Sequence, residues 1–423
     1  TRVLPATLVH PSLLPILGVL SRLGGSLKEG ENDALSPRRL APLVQRCCLA
    51  QSLALRNLAA DSFSPLVPPS EAPTCWRDLA QRAKALASGE ERGGANALHG
   101  AARQLRVLCE RNAPDLRLQD REDMVEAIAE TLGDLAECCS RRLVSCPFAR
   151  SEAVEAAYYA AKFALGACKN QRSKILLWES FAGMDAVTGV TGGGRGEYEF
   201  EAAMARLVVA LLGHARGVGA DLHGDLASRL RATALSNLRS ERYEVRLATL
   251  EEVESRWDDL HSGGLDPAAL HGALREAVAA EGHHGALSVA LRLLGRLSRH
   301  DEEVLAEYST PSQLREDAAV ALAVALEPTH EALRSDALSC SGHLASAALR
   351  LGEATHHKEK EDEQEQDLEF LGVLSALVDL ASEFAEPGRR LPLRRAACSC
   401  LFASGLARRL PSFSMRLRAW VAA

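Results

Sequence analysis

Apolar residues recur three and four apart along most of this chain, the spacing of a helix with one buried face. Leu13, Leu14, Leu17, Leu20 and Leu23 form such a stripe ahead of Gly24 and Gly25, which predicts a helix over Pro11 to Leu23. Ser36 followed by Pro37 predicts the start of a second helix, carrying Leu40, Leu43 and Val44. In a third, Leu55, Leu58, Ala59, Ser62, Phe63 and Leu66 share one face, and Pro68 and Pro69 stop it. Asn96 is placed to cap a helix from Ala97 to Cys109. His99 is its third residue, able to reach back to the cap, and Gly100 allows another backbone to come close.

The pattern continues. Asp120 to Cys139 carries Met124, Ile128, Leu132 and Leu135 on one face, and a helix beginning at Ser151 places Tyr158, Tyr159 and Phe163 in a core. Two more are predicted between Tyr198 and Leu238, the first with Leu207, Leu211 and Leu212, the second with Leu226, Leu230 and Leu235. Tyr243, Leu247, Leu250, Val253 and Trp257 form a further stripe. Weak internal repetition is present: Leu55, Leu314, Leu333 and Leu393 are each followed by Arg and, three residues after that Arg, by Ala. No stretch alternates branched and polar residues as a strand would. The expected fold is all-α: an armadillo/HEAT-like α-solenoid of stacked antiparallel helix pairs running over residues 1–423.

Composition fits an extended array. Leu and Ala dominate the 423 residues and aromatic residues make up only 4%. A net charge of −7 excludes nucleic-acid binding by bulk electrostatics, which needs clustered Lys and Arg, but leaves local patches open. Cys47 and Cys48, Cys138 and Cys139, and Cys398 and Cys400 lie among Ala and Leu in helical patterns. There cysteine serves as a small apolar residue, which predicts a cytoplasmic, reducing home. The most apolar stretch, LLPILGVL, is too short to cross a bilayer, so no membrane anchoring is expected. The first residue is Thr, which suggests a fragment of a larger protein.

Few stretches suggest chemistry. GVTGGGRG at Gly189 to Gly196 has Arg195 and Gly196 where a phosphate-binding loop needs Lys and Ser or Thr, so residues 189–196 read as a flexible insertion. The charge run from Glu353 to Glu369 contains a second one, 353–367, and its adjacent His356 and His357 lack the spacing of metal ligands. His283 and His284 sit at a helix start, where capping or exposure explains them. From Arg389 to the C-terminus there is no acidic residue, and Arg394, Arg395, Arg408 and Arg409 form a candidate RNA-contacting patch. No CxxC pair, HExxH, nucleophile elbow or cofactor-binding glycine turn occurs. Neither catalysis nor a bound cofactor or metal is expected.

Four segments, HPSLLPILGVLSRL at His10 to Leu23, LRNLAADSFSPLVPPSE at Leu55 to Glu71, NALHG at Asn96 to Gly100 and YEVRLATLEEV at Tyr243 to Val253, resemble the C-terminal part of the thyroid adenoma-associated protein (THADA) family, in the same order. LPLRRAACSCL at Leu391 to Leu401 is a fainter echo. The resemblance singles out Arg56, Asn96, His99, Gly100 and Arg246. It implies a helical-repeat scaffold, with no catalytic residue of its own, that assists an FtsJ-like methyltransferase in 2′-O-methylation of transfer RNA at position 32 of the anticodon loop. The implied partners are that methyltransferase and transfer RNA. The family's Arg-Arg-Ser-Ala-Gly motif is missing from this chain. Periodicity alone supports a general protein-binding solenoid with no RNA role equally well.

Overall fold

Helix signals in the sequence are realised as caps and stops. Pro37 opens α2, the Ser52 side chain accepts the Leu55 amide at the start of α3, and Thr310 and Gln313 form a reciprocal capping box ahead of Pro311. The computed structural model describes residues 12–23, 36–68, 70–112, 128–131, 133–135, 147–167, 175, 198–218, 224–261, 264–328, 330–355, 363–385, 389 and 391–403, and these contain helices and no strand. Up to residue 238 the helices are α1 (Leu13–Leu20), α2 (Pro37–Cys47), α3 (Leu53–Phe63), α4 (Ala72–Ser88), α5 (Gly94–Asn112), α6 (Pro147–Ala167), α7 (Tyr198–Val218) and α8 (Gly224–Leu238). They continue as α9 (Tyr243–Ser255), α10 (Trp257–His261), α11 (Pro267–Ala280), α12 (His284–Leu297), α13 (Glu302–Ala306), α14 (Pro311–Leu326), α15 (Glu331–Thr355), α16 (Glu363–Ala385) and α17 (Leu391–Ala403).

The described residues are all-α, in stacked helix pairs, and the chain divides into two units, residues 1–234 and 235–423. In the first, α3, α5, α6 and α7 pack side by side in one row, with α2 and α4 backing them. In the second, α9, α12, α15 and α17 form a row backed by α11, α14 and α16, so that α11/α12, α14/α15 and α16/α17 are antiparallel pairs.

Each row is closed by small residues. Leu55 and Ala59 of α3, Leu333 and Ala337 of α15, and Leu393 and Ala397 of α17 are all buried, as are Leu314 and Ala318 of α14. The repeated Leu-Arg-x-x-Ala string therefore marks a helix contact, where Leu fills the interface and Ala lets the backbones approach. Three buried cysteines lie against glycines of a neighbouring segment. A β-carbon on Gly100 would overlap the Cys48 carbonyl group, one on Gly342 would come within 2.5 Å of Cys400 Sγ, and one on Gly295 within 3.4 Å of the Cys340 Cα. Burial pushes the Cys400 thiol up to about 12, and raises Cys48 and Cys340 as well. Thiols held protonated in this way act as packing groups.

Charge ladders tie neighbouring helices of a row. In the first unit Asp61 of α3 meets Arg103 of α5 at 3.7 Å, Arg103 and Arg106 meet Glu152 of α6 at 3.1 and 3.2 Å, and Glu155 of α6 meets Arg206 of α7 at 2.6 Å. In the second, Arg292 of α12 bridges Glu254 of α9 at 2.7 Å and Asp336 of α15 at 2.9 Å.

Several expected details differ. In α1 only Leu17 is buried, while Leu14 is exposed, because among the described residues α1 packs chiefly on α3. In α2 Val44 is buried and Leu43 exposed. The helix expected to begin at Ser151 starts at Pro147. In α9 the buried residues are Val245, Ala248, Thr249, Leu250, Glu252 and Val253, whereas Tyr243 is exposed and Leu247 half-buried. A helix packed on two sides buries a wider arc than its large apolar residues mark, and Glu252 is tolerated inside because Arg256 pairs with it at 2.6 Å.

Leu58 is half-buried, and Phe63, Leu66 and Leu250 are buried as expected. Met124, Leu132, residues 189–196, His356, His357 and the side chain of Phe163 lie outside the described residues. Of 353–367, the ends belong to α15 and α16, and 356–362 lie outside the described residues.

Candidate functional site

The residues singled out in the first unit converge on one corner. Arg56 is the fourth residue of α3, and its guanidinium turns back on the α2–α3 loop, donating through Nη1 to the carbonyls of Ala50 at 2.7 Å and Gln51 at 2.8 Å. Its Nε donates to Nδ1 of His99 on α5 at 3.2 Å. Gly100, the next residue on α5, receives the Cys48 carbonyl at close range. The three residues therefore lock a loop and two helices together. Burial lowers the pKa of His99, and a neutral ring is what the arginine needs as an acceptor.

Asn96 does not cap α5. The helix begins at Gly94, whose φ of 67° lies in the left-handed region, so Asn96 falls inside the first turn and is exposed. His99 is consequently too far along the helix to reach back to a cap and points into the corner.

Arg246 repeats the device in the second unit. It is the fourth residue of α9, and its Nη1 donates to the Ser240 carbonyl at 2.6 Å, again in the loop before its own helix. Nε and Nη2 grip both oxygens of Glu281 at 2.5 and 2.6 Å. Burial alone would raise that carboxylate, but Arg246 and the His283 amide together hold it below its usual range. Arg334, the fourth residue of α15, donates to the Ala325 carbonyl at 2.9 Å. Neither Glu281 nor the loop carbonyls follow any helical period, so sequence reading missed them.

Arg394 occupies the fourth position of α17, the place of the clamping arginines, and is half-buried with Nε enclosed. Arg395 beside it is exposed, and Arg408 and Arg409 lie outside the described residues. His283 caps α12 by accepting the Ala286 amide at 3.3 Å, as expected. Among the described residues no cluster of three His, Cys, Asp or Glu could hold a metal ion, and no helix is long and apolar enough to cross a membrane.

Residues 3–108 match the family model described as Trm732, C-terminal TPR repeats. The segment holding Arg56, His99 and Gly100 is thus similar to the C-terminal repeats of Trm732. The match covers about the first quarter of the chain and agrees with its resemblance to the C-terminal part of the THADA family. No curated protein matches the chain in sequence. Among solved structures, an engineered protein is similar at 12% identity, covering 93% of this chain and 94% of its own with a TM-score of 0.42. Kap121p is similar at 12% identity, covering 98% of this chain and 43% of its own with a TM-score of 0.40. The karyopherin Kap121p bound to the extreme C-terminus of the protein phosphatase Cdc14p gives 16%, 98%, 45% and 0.36 in the same order.

Proposed function

We propose that this chain belongs to a non-catalytic scaffold that assists an FtsJ-like methyltransferase in 2′-O-ribose methylation of transfer RNA at position 32 of the anticodon loop. The observation that carries the reading is the Trm732 match over residues 3–108, which includes Arg56, His99 and Gly100. Their chemistry is spent on holding helices, as a scaffold requires: the arginine donates to loop carbonyls and the histidine accepts from the arginine. The methyl-transfer chemistry then belongs to the partner, and the scaffold contributes by restricting how RNA and enzyme meet. Arg394, Arg395, Arg408 and Arg409 are the residues assigned to RNA, and a cytoplasmic location goes with the role.

The second reading, a protein-binding solenoid without an RNA role, is favoured by the charge ladders. Arg103, Arg106, Arg206 and Arg292 already face carboxylates and are poorly disposed to receive phosphate. Affinity purification of the full-length protein separates the two. Recovery of an FtsJ-like methyltransferase together with transfer RNA supports the first, and recovery of proteins free of both supports the second. Methyl transfer by the purified chain alone would overturn both.

A further inference from the structure

Three successive loops of the second unit, before α9, α12 and α15, open on the same edge, because these helices pack side by side as the equivalent members of successive units. Each loop carries a glutamate and, two or three residues on, a ring: Glu241 and Tyr243, Glu281 and His283, Glu327 and His330. The rings form two pairs along this edge. Tyr243 stacks on His283 with centroids 4.1 Å apart and planes 16° from parallel, and His284 meets His330 edge to face at 5.0 Å. Tyr243, His284 and His330 are exposed and His283 is half-buried.

The Tyr243–His283 pair is held by polar contacts beneath it. Arg246 grips Glu281, Glu281 accepts the His283 amide at 2.8 Å, and the His283 ring is pinned as the cap of α12. A β-carbon on Gly285 would lie 3.1 Å from that ring, so glycine leaves it room to seat. The clamp of Arg246 thus orders a surface as well as a helix pair. Around the rings, Glu241, Glu244 and Glu327 make no ion pair within 4.0 Å among the described residues; of the neighbouring cations, Arg246 is paired with Glu281 and also feels the charge of Glu244, Arg242 is half-buried, and Arg334 donates to a carbonyl and keeps its charge.

We propose that this edge is a docking surface for an arginine-rich peptide segment of a partner protein. The exposed Tyr243 ring offers a guanidinium plane a surface to stack on, the neighbouring imidazole rings extend that surface, and the carboxylates without an ion pair supply complementary charge. The same carboxylates repel phosphate, which disfavours RNA on this edge. The assignment stands on the geometry of the second unit and is independent of the methylation reading.

The test is fluorescence anisotropy of the whole chain with labelled nona-arginine, nona-glutamate and oligouridylate at low ionic strength. Nona-arginine is expected to bind, with an affinity that falls as salt is added, and to bind better than nona-lysine, which stacks less well. The Tyr243→Ala/His330→Ala double variant should weaken nona-arginine binding about tenfold, taking each exposed cation–π contact as a several-fold effect. Glu241→Gln/Glu244→Gln/Glu327→Gln should weaken it and flatten its salt dependence. Glu302→Gln/Glu303→Gln/Glu307→Gln, at the opposite end of α12, should leave it unchanged, which separates this edge from general attraction to an acidic chain. Equal losses in the two glutamate variants, preference for oligouridylate, or insensitivity to the ring substitutions would each overturn the proposal. Circular dichroism of each variant shows that the helices are kept, as exposed positions require.

Discussion

Arg56 Nε and His99 Nδ1 lie 3.2 Å apart although 43 residues separate them in the chain. The arginine is 7% exposed and the histidine 6%, so each depends on the other for a buried polar group. Replacing Arg56 by Met removes the donor to His99 and to the carbonyls of Ala50 and Gln51 together. A loss of about 2–4 kcal/mol in the stability of the first unit is expected, since orphaned buried acceptors cost more than the bond itself. Urea denaturation followed by circular dichroism reads it. The same stability in the variant would show that the clamp is incidental.

Glycine positions give a prediction with opposite signs. Gly100→Ala and Gly342→Ala meet neighbouring backbone and should each cost more than ~3 kcal/mol, as overpacking against main chain that cannot yield. Gly272→Ala in α11 meets nothing within 4 Å and should stabilise by about 0.5–1 kcal/mol through helix propensity. Thermal melts of the three variants test both signs at once.

Acid should destabilise the second unit through two buried histidines. Burial lowers His271 and His343 to about 4, and Arg299 occupies His343 Nε2 at 2.6 Å. Between the ordinary histidine range and about pH 4 the unfolded chain takes up protons that the folded chain refuses, so stability falls as pH falls through that window. Asp317 opposes this. Burial raises it to about 6, so the folded state binds its proton more readily, and its contribution is lost as pH rises through 6. His343→Gln should therefore flatten the acid loss in melting temperatures measured from pH 7 to pH 4.

Arg292 joins three helices through Glu254 and Asp336, and the carboxylate of Glu254 is held low by its hydrogen bonds to the arginine. Arg292→Met should cost about 1–2 kcal/mol, discounted from a buried pair because the guanidinium side chain is 39% exposed. Adding Glu254→Gln to that variant should cost less than it does in the natural chain. Additive losses in the double-mutant cycle would show that the bridge contributes nothing.

Helix positions and the fold class were legible because apolar spacing and caps are local. Leu55 and Phe63 were read correctly into the core, and the Leu-Arg-x-x-Ala string marked buried positions at Ala59, Ala337 and Ala397. The stripe of α9 was right at Leu250 and Val253 and wrong at Tyr243, because helices packed on two sides bury Ala248 and Thr249, which carry little apolar weight, and admit Glu252 through its pairing with Arg256. The corner was half-legible. Gly100 was read as a close approach, but the acceptor of Arg56 lies on another helix and no local spacing announces it. Glu281 was missed for the same reason.

The central claim is that the full-length protein containing this chain acts as a scaffold in transfer-RNA methylation, and ribose-methylation mapping of transfer RNA from cells lacking it tests this most directly. A scaffold role predicts loss of 2′-O-methylation at position 32, restored by the full-length protein and by an Arg56→Lys variant that keeps a donor to the loop, but not by Gly100→Ala. Unaltered methylation at position 32 in those cells would contradict it.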